Sequence, residues 1–207
     1  MAATLTTPNT ILGVLAPKSQ INRLVANVAT VIVVIVGTAV LTLSAKINVP
    51  TWPVPVTLQT FAVAVLAAAF GWRVGVATVV AYLLEGAVGL PVFATGGGLS
   101  YLTGPTGGFL LGFIPMAWVI GRAADLGASG RVLMLAFAML IADALLFVIG
   151  FAWLVMALSA LKGVAPTAVL GSAFDGAIKP FVVWDILKMV FAAVTVAGAW
   201  QLFKKRA

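Results

Sequence analysis

The sequence predicts an all-α integral membrane protein, in which six transmembrane helices form a single membrane domain over residues 1–207. Hydrophobic residues make up 63% of the chain and charged residues only 8%, whereas a soluble domain carries about 25% charged residues. Six apolar segments each approach the ~20 residues that a helix needs to cross a bilayer. Lysine and arginine also gather on one side of the resulting topology, as they do in multi-pass proteins.

The predicted elements begin with segment 1–20, which is rich in threonine and proline and lacks the apolar region of a signal peptide. We interpret it as a cytoplasmic N-terminal segment. The first apolar run is too long for a cleaved signal and is interpreted as a retained span. Spans and loops together occupy about 25–203. The six predicted spans are 25–45, 56–72, 74–90, 105–121, 132–161 and 178–203.

The distribution of basic residues predicts that both termini are cytoplasmic. In this orientation only Lys46, Lys162 and Lys179 fall at or near the outer surface. The proline-rich loop 46–55, the glycine-rich loop 91–104 and the loop 160–179 then share the outer face. The predicted cytoplasmic basic residues are Lys18, Arg23, Arg73, Arg122, Arg131, Lys204, Lys205 and Arg206.

The composition also excludes several classes of function. The chain contains no cysteine and no histidine, which removes disulfides, thiolate or imidazole metal sites, and catalysis by cysteine or histidine. The net charge of +7 is explained by basic cytoplasmic loops, so it does not predict a nucleic-acid partner. We expect no enzymatic activity, no metal and no cofactor.

Asp185 and Lys188 form the most informative feature, because an acid and a base lie inside the apolar run 181–190. A charged side chain in the bilayer core costs roughly 2.5–3.5 kcal/mol. Residues three apart share one helical face, so both are expected to face the protein interior and to pair with each other or with a polar ligand. Since Asp185 lies close to the outer face, the pair predicts an outward-facing intramembrane pocket.

The proline-rich loop leads into Thr57 and Gln59, whose side chains offer neutral hydrogen-bond donors and acceptors. Proline fixes the backbone angle φ, so this loop is expected to be stiff enough to cap a pocket. The alternative is a turn that starts a helix beside an interfacial Trp52.

Glycines are the second group of candidate site residues. Gly97, Gly98 and Gly107 are expected to let the backbone approach a ligand closely. The alternative is ordinary small-residue packing between helices for Gly107, Gly108 and Gly112. The sequence contains no phosphate-binding P-loop motif, so the chain is not expected to hydrolyse ATP itself.

Three further polar residues lie in or between apolar segments. Glu85 and Asp143 either line the pocket or stabilise the bundle. Ser129 lies in a Gly-Ala-Ser-Gly sequence that resembles the motif of rhomboid proteases, but a Ser–His dyad needs a histidine base, which this chain lacks. We therefore interpret Ser129 as part of a turn.

Four motifs together resemble the BioY family, the biotin-binding S components of energy-coupling factor (ECF) transporters. The resemblance covers about 25–203 and implies a six-helix S-component fold with high-affinity biotin capture on the outer face. It further implies import through a transmembrane coupling subunit and two cytoplasmic ATP-binding cassette ATPases. The motifs are PVPVTLQT at 53–60, GLPVF at 89–93, GPTGGF at 104–109 and DILK at 185–188.

The resemblance also implies a set of biotin-binding residues. Asp185 can accept hydrogen bonds from the ureido N–H groups, and Lys188 can neutralise the carboxylate or donate to the ureido carbonyl; the orientation of biotin stays open. Trp52 is a further aromatic candidate for packing on the biotin bicycle. Phe109 stands where the family commonly has tyrosine, so a hydroxyl contact is not expected there. The remaining predicted ligand-binding residues are Thr57, Gln59, Phe93, Gly97, Gly98, Tyr101 and Gly107.

The resemblance finally implies a docking face for the coupling subunit on the first span. The family pattern there is alanine at i and i+4, whereas this chain has Ala26, Ala29 and Thr30. Small residues let two helices approach closely, although packing within the chain's own bundle is an alternative. A different functional hypothesis is a self-sufficient secondary transporter of a small carboxylate vitamin, with Asp143 or Glu85 as proton relay.

Overall fold

The computed structural model describes residues 23–204, with side chains from 27 to 203, so segment 1–20, Lys205 and Arg206 lie outside the described residues. Within this range the chain forms eight α-helices and one two-stranded antiparallel sheet. The elements are α1 (Arg23–Lys46), β1 (Asn48–Val49), β2 (Val56–Thr57), α2 (Gln59–Phe70), α3 (Trp72–Ala87), α4 (Leu99–Thr103), α5 (Gly107–Asp125), α6 (Val132–Lys162), α7 (Pro166–Ala177) and α8 (Val182–Lys204).

The chain is a multi-pass membrane protein. Among the described residues, four helices are long and apolar enough to cross a bilayer, namely α1, α5, α6 and α8. The other two predicted spans also form helices, but α2 has 12 residues and α3 has 16, fewer than the ~20 that a crossing helix needs. The prediction of six full-length spanning helices is therefore confirmed for four of them.

Two short helices lie where the sequence predicts loops. α4 interrupts the glycine-rich loop, and α7 occupies most of the loop 160–179. Pro166 is at the start of α7, where the missing proline N–H has no helical partner to lose. Val169, Ala173 and Ala177 then form one buried face at a spacing of four residues. The prediction of a loop was wrong here because α7 is too short to register as a span.

The second predicted span starts too early. It was placed from residue 56, but Val56 and Thr57 form β2, which pairs with β1 in the register Asn48↔Thr57 and Val49↔Val56. The helix begins only at Gln59, whose backbone N–H donates to Thr57 Oγ1 at 3.2 Å. This local hydrogen bond favours a turn over an earlier helix start.

Glycines on α5 allow it to pack closely along α6. A Cβ on Gly108 would lie 2.2 Å from the Cβ of Trp153, and one on Gly112 would lie 2.7 Å from Leu146 Cδ1. A larger side chain would have to displace the Trp153 side chain at Gly108 and the end of the Leu146 side chain at Gly112. The small-residue packing alternative therefore describes these two glycines.

The three predicted outer loops lie together at one end of the bundle. Lys46 Nζ donates to the carbonyl of Phe93, which ties the end of α1 to the glycine-rich loop. A Cβ on Gly176 would lie 2.6 Å from Pro53 Cδ, so α7 packs on the proline-rich loop.

The opposite end of the bundle is closed by tight connections. A Cβ on Gly121 would lie 2.4 Å from the Cα of Trp72, so α5 ends against the start of α3. Ser129 belongs to a 3-10 turn, Ala128–Gly130, and is fully buried. Its hydroxyl donates to the Ala68 carbonyl of α2 at 3.3 Å. Ser129 thus lies in a turn, as the sequence predicts, and its hydroxyl makes a structural contact.

Candidate functional site

A cavity lies at the end of the bundle where the three loops meet, and its empty space of about 490 Å³ includes space open to solvent. Polar side chains and aromatic rings both line it, a combination typical of small-molecule sites. The polar lining consists of Thr57, Gln59, Thr60, Thr106 and Asp185. The aromatic lining consists of Tyr101, Phe109, Phe113, Phe147 and Phe181.

The predicted acid-base pair forms a buried ion pair at this cavity. Lys188 Nζ lies 2.7 Å from Asp185 Oδ1 and also donates to the Thr57 carbonyl at 2.8 Å. The Thr60 hydroxyl donates to the same Asp185 oxygen at 2.7 Å. Asp185 is 1% exposed. It lies in the first turn of α8 and forms part of the cavity wall. The geometry brings α2 and α8 together through charge-assisted hydrogen bonds.

The ion pair leaves hydrogen-bonding capacity for a ligand. Among the described residues, Asp185 Oδ2 is buried and has no hydrogen-bond partner. An ammonium group has three donors, and two of those on Lys188 are used by Asp185 and Thr57. A buried acceptor without a partner costs roughly 1–3 kcal/mol, so a ligand donor at Oδ2 recovers that energy.

A second network fixes the amide of Gln59. Its Nε2 donates to the Tyr82 hydroxyl at 2.8 Å, and this hydroxyl donates to the Val92 carbonyl at 3.0 Å. The Thr57 hydroxyl donates to Gln59 Oε1 at 3.2 Å. Tyr82 is fully buried and links the cavity wall to the glycine-rich loop, a role that the sequence analysis missed. The available signal was a tyrosine hydroxyl inside a predicted membrane span, since buried hydroxyls usually find a partner.

Three phenylalanines form an apolar wall. The rings of Phe109 and Phe181 stack with centroids 6.5 Å apart and an interplanar angle of 14°. Phe147 meets both edge to face, at 6.1 Å and 6.0 Å. The three rings form an apolar surface on which a ring-containing ligand can pack edge to face or offset. Phe147 and Phe181 were missed because each lies in a run of apolar residues that shows no distinctive pattern.

Four predicted ligand-binding residues shape the cavity without lining it. Phe93 is fully buried behind Tyr101, with ring centroids 5.0 Å apart. A Cβ on Gly97 would lie 2.1 Å from the Leu90 carbonyl oxygen, and Gly98 has a φ of 99°, which favours glycine. Gly107 packs against the Leu102 carbonyl. Their backbones approach other parts of the protein rather than the cavity. Trp52, the further aromatic candidate, is 70% exposed and does not line the cavity either.

Asp143 lies beside the ion pair but outside the cavity lining. It is 6% exposed on the inward face of α6, one turn from Leu146, which does line the cavity. It interacts electrostatically with Asp185 and Lys188. Glu85 is half-buried on α3. Within residues 23–204 no cluster of three or more acidic residues could hold a metal ion.

The predicted docking residues do not share one exposed face. Ala29 is exposed on α1, whereas Thr30 is 7% exposed and has a contact within the chain. The side chain of Ala26 lies outside the described residues. Thr30 therefore corresponds to the alternative interpretation, in which this part of α1 packs on its own bundle.

Comparison with known proteins decides the family. The sequence model of the BioY family matches residues 17–205. The chain belongs to the BioY family. A biotin transporter BioY of Thermotoga maritima is 49% identical to it over 89 residues, which cover 42% of this chain and 53% of that protein. The match thus spans about half the length of this relative.

Other BioY proteins and a solved structure match over more of the chain. A probable biotin transporter BioY of Pyrococcus horikoshii is 34% identical over 157 residues, covering 75% of this chain and 86% of that protein. The crystal structure at 2.1 Å of the S-component for biotin from an ECF-type ABC transporter matches with a TM-score of 0.67. It covers 84% of this chain and 92% of that chain at 21% identity, which shows a shared fold. The resemblance seen in the four motifs is confirmed, and the BioY relatives are named transporters rather than enzymes.

Proposed function

We propose that this chain is the substrate-specificity subunit of a biotin importer in a bacterial inner membrane. It binds biotin with high affinity at the outer face and delivers it for ATP-driven uptake through a transmembrane coupling subunit and two ATP-binding cassette ATPases. The observation that carries the proposal is the buried Asp185–Lys188 pair at an apolar cavity in a chain of the BioY family.

The chemistry of biotin matches that of the cavity. Biotin combines an apolar bicycle and tail with a carboxylate and a ureido group that has two N–H donors and one carbonyl acceptor. Within residues 23–204, Asp185 Oδ2 is an acceptor without a partner, and Lys188 has a donor beyond the two that it uses. The walls formed by Phe109, Phe147 and Phe181 suit the apolar part, since pockets combine apolar walls with a few placed polar groups.

The proposal includes six membrane crossings with both termini cytoplasmic. α2 is about 18 Å long at 1.5 Å per residue, which is shorter than the ~30 Å hydrocarbon core. Val54 and Thr57 precede α2 and line the cavity. Non-helical backbone is tolerated at membrane depth where it lines a cavity. The segment 54–58 therefore completes the crossing that α2 begins.

A docking face for the coupling subunit is proposed on the cytoplasmic half of α1. Ala29 is exposed there and Ala26 lies one turn earlier along the same helix. The exposed neighbours Val28 and Ile32 extend an apolar surface around Ala29. Small residues permit close approach of a partner helix.

A second candidate function is a secondary transporter that moves the vitamin without partners. The observation that favours it is Asp143, a buried carboxylate inside an apolar helix. Ionisable residues in such positions often mark proton pathways.

Uptake of biotin into proteoliposomes separates the two candidates. We expect uptake only with the coupling subunit, both ATPases and ATP. Ala29→Trp should bind biotin normally but fail to assemble, whereas Leu43→Trp, at an exposed position on the other half of α1, should assemble and transport. Uptake by the chain alone, driven by a proton gradient, would establish the secondary transporter instead.

A further inference from the structure

Asp143 is a buried carboxylate inside an apolar helix, and it has no role in the proposed binding of biotin. It follows Met139 and precedes Leu146 and Gly150 on the buried stripe of α6. Among the described residues its Oδ1 has no hydrogen-bond partner. Burying an ionised carboxylate without a hydrogen bond or counter-charge is costly, and such groups are usually paired or neutral.

The charges around Asp143 do not balance. Asp143 and Asp185 are two carboxylates, and among the residues that the structure describes Lys188 is the ammonium that interacts with both. Lys188 makes its direct contact with Asp185 at 2.7 Å. Asp143 therefore lacks a direct ion pair, and a buried carboxylate without a counter-charge is less stable as an anion than one with such a pair.

Other titratable groups on the elements around Asp143 lie elsewhere. α2 carries none. Arg122 and Asp125 of α5 lie near the opposite end of the bundle, next to the connection to α6. Asp175 of α7 is exposed and pairs with Lys179. On the described parts of the neighbouring elements, the charged groups that interact with Asp143 are therefore Asp185 and Lys188 on α8.

We infer that Asp143 is a proton-binding site coupled to occupancy of the cavity, so that its carboxylate takes up a proton from the solvent when the ligand binds. The inference rests on the proposed function. A ligand displaces water from the cavity and strengthens the repulsion between the two carboxylates, because the local dielectric falls. Lys188 and Thr60 both donate to Asp185, whereas Asp143 Oδ1 has no donor among the described residues, so Asp143 is the group that takes up the proton.

The coupling has a defined sign. The ligand-bound protein holds more protons than the free protein, so binding weakens as pH rises. For a single coupled proton, the affinity falls by at most about tenfold per pH unit. At pH values low enough to protonate Asp143 in both the free and the bound protein, this group causes no change of affinity with pH.

Calorimetry with biotin and the full chain in detergent tests the inference. The binding heat is measured in two buffers that differ in ionisation enthalpy, which gives the number of protons taken up per biotin. We expect a fraction of a proton, up to one, for the native chain at neutral pH. Asp143→Asn should bind biotin with no proton uptake and a flat pH dependence. Glu85→Gln, which changes an acid on α3 outside this charge cluster, should keep the native proton uptake.

The outcomes separate the inference from the function on which it rests. Zero proton uptake by a chain that binds biotin, or unchanged uptake in Asp143→Asn, overturns the inference and leaves biotin binding intact. No biotin binding by the native chain overturns the proposed function, and the inference with it. If Asp143→Asn does not fold, infrared difference spectra of the native chain with 13C-labelled aspartate decide. Biotin should then produce the C=O stretch of a protonated aspartate, and its absence overturns the inference.

Discussion

Lys188 Nζ lies 2.7 Å from Asp185 Oδ1 and 2.8 Å from the carbonyl oxygen of Thr57, so one ammonium group joins α8 to the segment that starts α2. Thr60 adds a third link by donating to the same carboxylate oxygen. The cavity wall thus depends on residues from two distant parts of the sequence. This arrangement fixes the carboxylate, whose second oxygen has no hydrogen-bond partner among the described residues.

The ion pair gives the first prediction. Asp185→Asn and Lys188→Ala should each weaken biotin binding strongly, because loss of one partner of a buried charged contact costs roughly 2–5 kcal/mol. Titration calorimetry measures the affinity. Lys179→Ala is the matched control: it breaks an exposed ion pair whose side chains are 73% and 66% exposed, and exposed pairs contribute about 0–1 kcal/mol.

A purely structural role of the pair predicts a different result. Variants of Asp185 and Lys188 would then lose thermal stability, while the folded fraction would bind biotin with native affinity. That outcome would remove both residues from the ligand site.

The aromatic wall gives the second prediction. Phe147→Ala should weaken biotin binding by about 1.5–3 kcal/mol, the value of burying a phenylalanine side chain. Phe137→Ala is the matched control on the same helix, since Phe137 is 67% exposed on the outer surface of α6. Equal affinities for the two variants in calorimetry would show that this wall does not contact the ligand.

The hydroxyl of Tyr82 gives the third prediction. Tyr82→Phe leaves the Gln59 amide and the Val92 carbonyl without their shared partner. A buried polar group without a partner costs roughly 1–3 kcal/mol, so the melting temperature should fall. Tyr101→Phe is the control, because the contact that the described residues give the Tyr101 hydroxyl is an exposed one of 3.4 Å with Thr95. A smaller loss of stability for Tyr82→Phe than for Tyr101→Phe would contradict the network.

The proposed orientation gives the fourth prediction. The chain has no native cysteine, so single cysteines report position without background. Ser100→Cys and Ser172→Cys, exposed at the cavity end, should react with a membrane-impermeant maleimide added to intact cells. Leu126→Cys, exposed at the opposite end, should react only after lysis. The reverse pattern would place the cavity on the cytoplasmic side.

The sequence located the polar centre of the site because charge inside an apolar run is rare and costly. Asp185 and Lys188 stood out for this reason, and the structure pairs them directly. Thr60 could not be singled out in the same way, because its contact with Asp185 joins residues that are distant in sequence. Phe147 resembles any other apolar residue of its span until the helices are packed.

The secondary structure was predictable to a similar degree. Long apolar segments in the sequence identified α1, α5, α6 and α8. α7 escaped prediction because its buried face, Val169, Ala173 and Ala177, is apolar over a length too short for a membrane span. Gly107 could equally approach a ligand or another part of the chain, and only the packing against Leu102 distinguishes the two.

Binding of biotin by the purified, ligand-free chain tests the central claim most directly. Titration calorimetry in detergent, without ATP or partner subunits, should show one binding site per chain. Asp185→Asn in the same experiment should bind far more weakly, which would place that site in the cavity. A flat titration with the native, folded protein would contradict the proposal that this chain captures biotin.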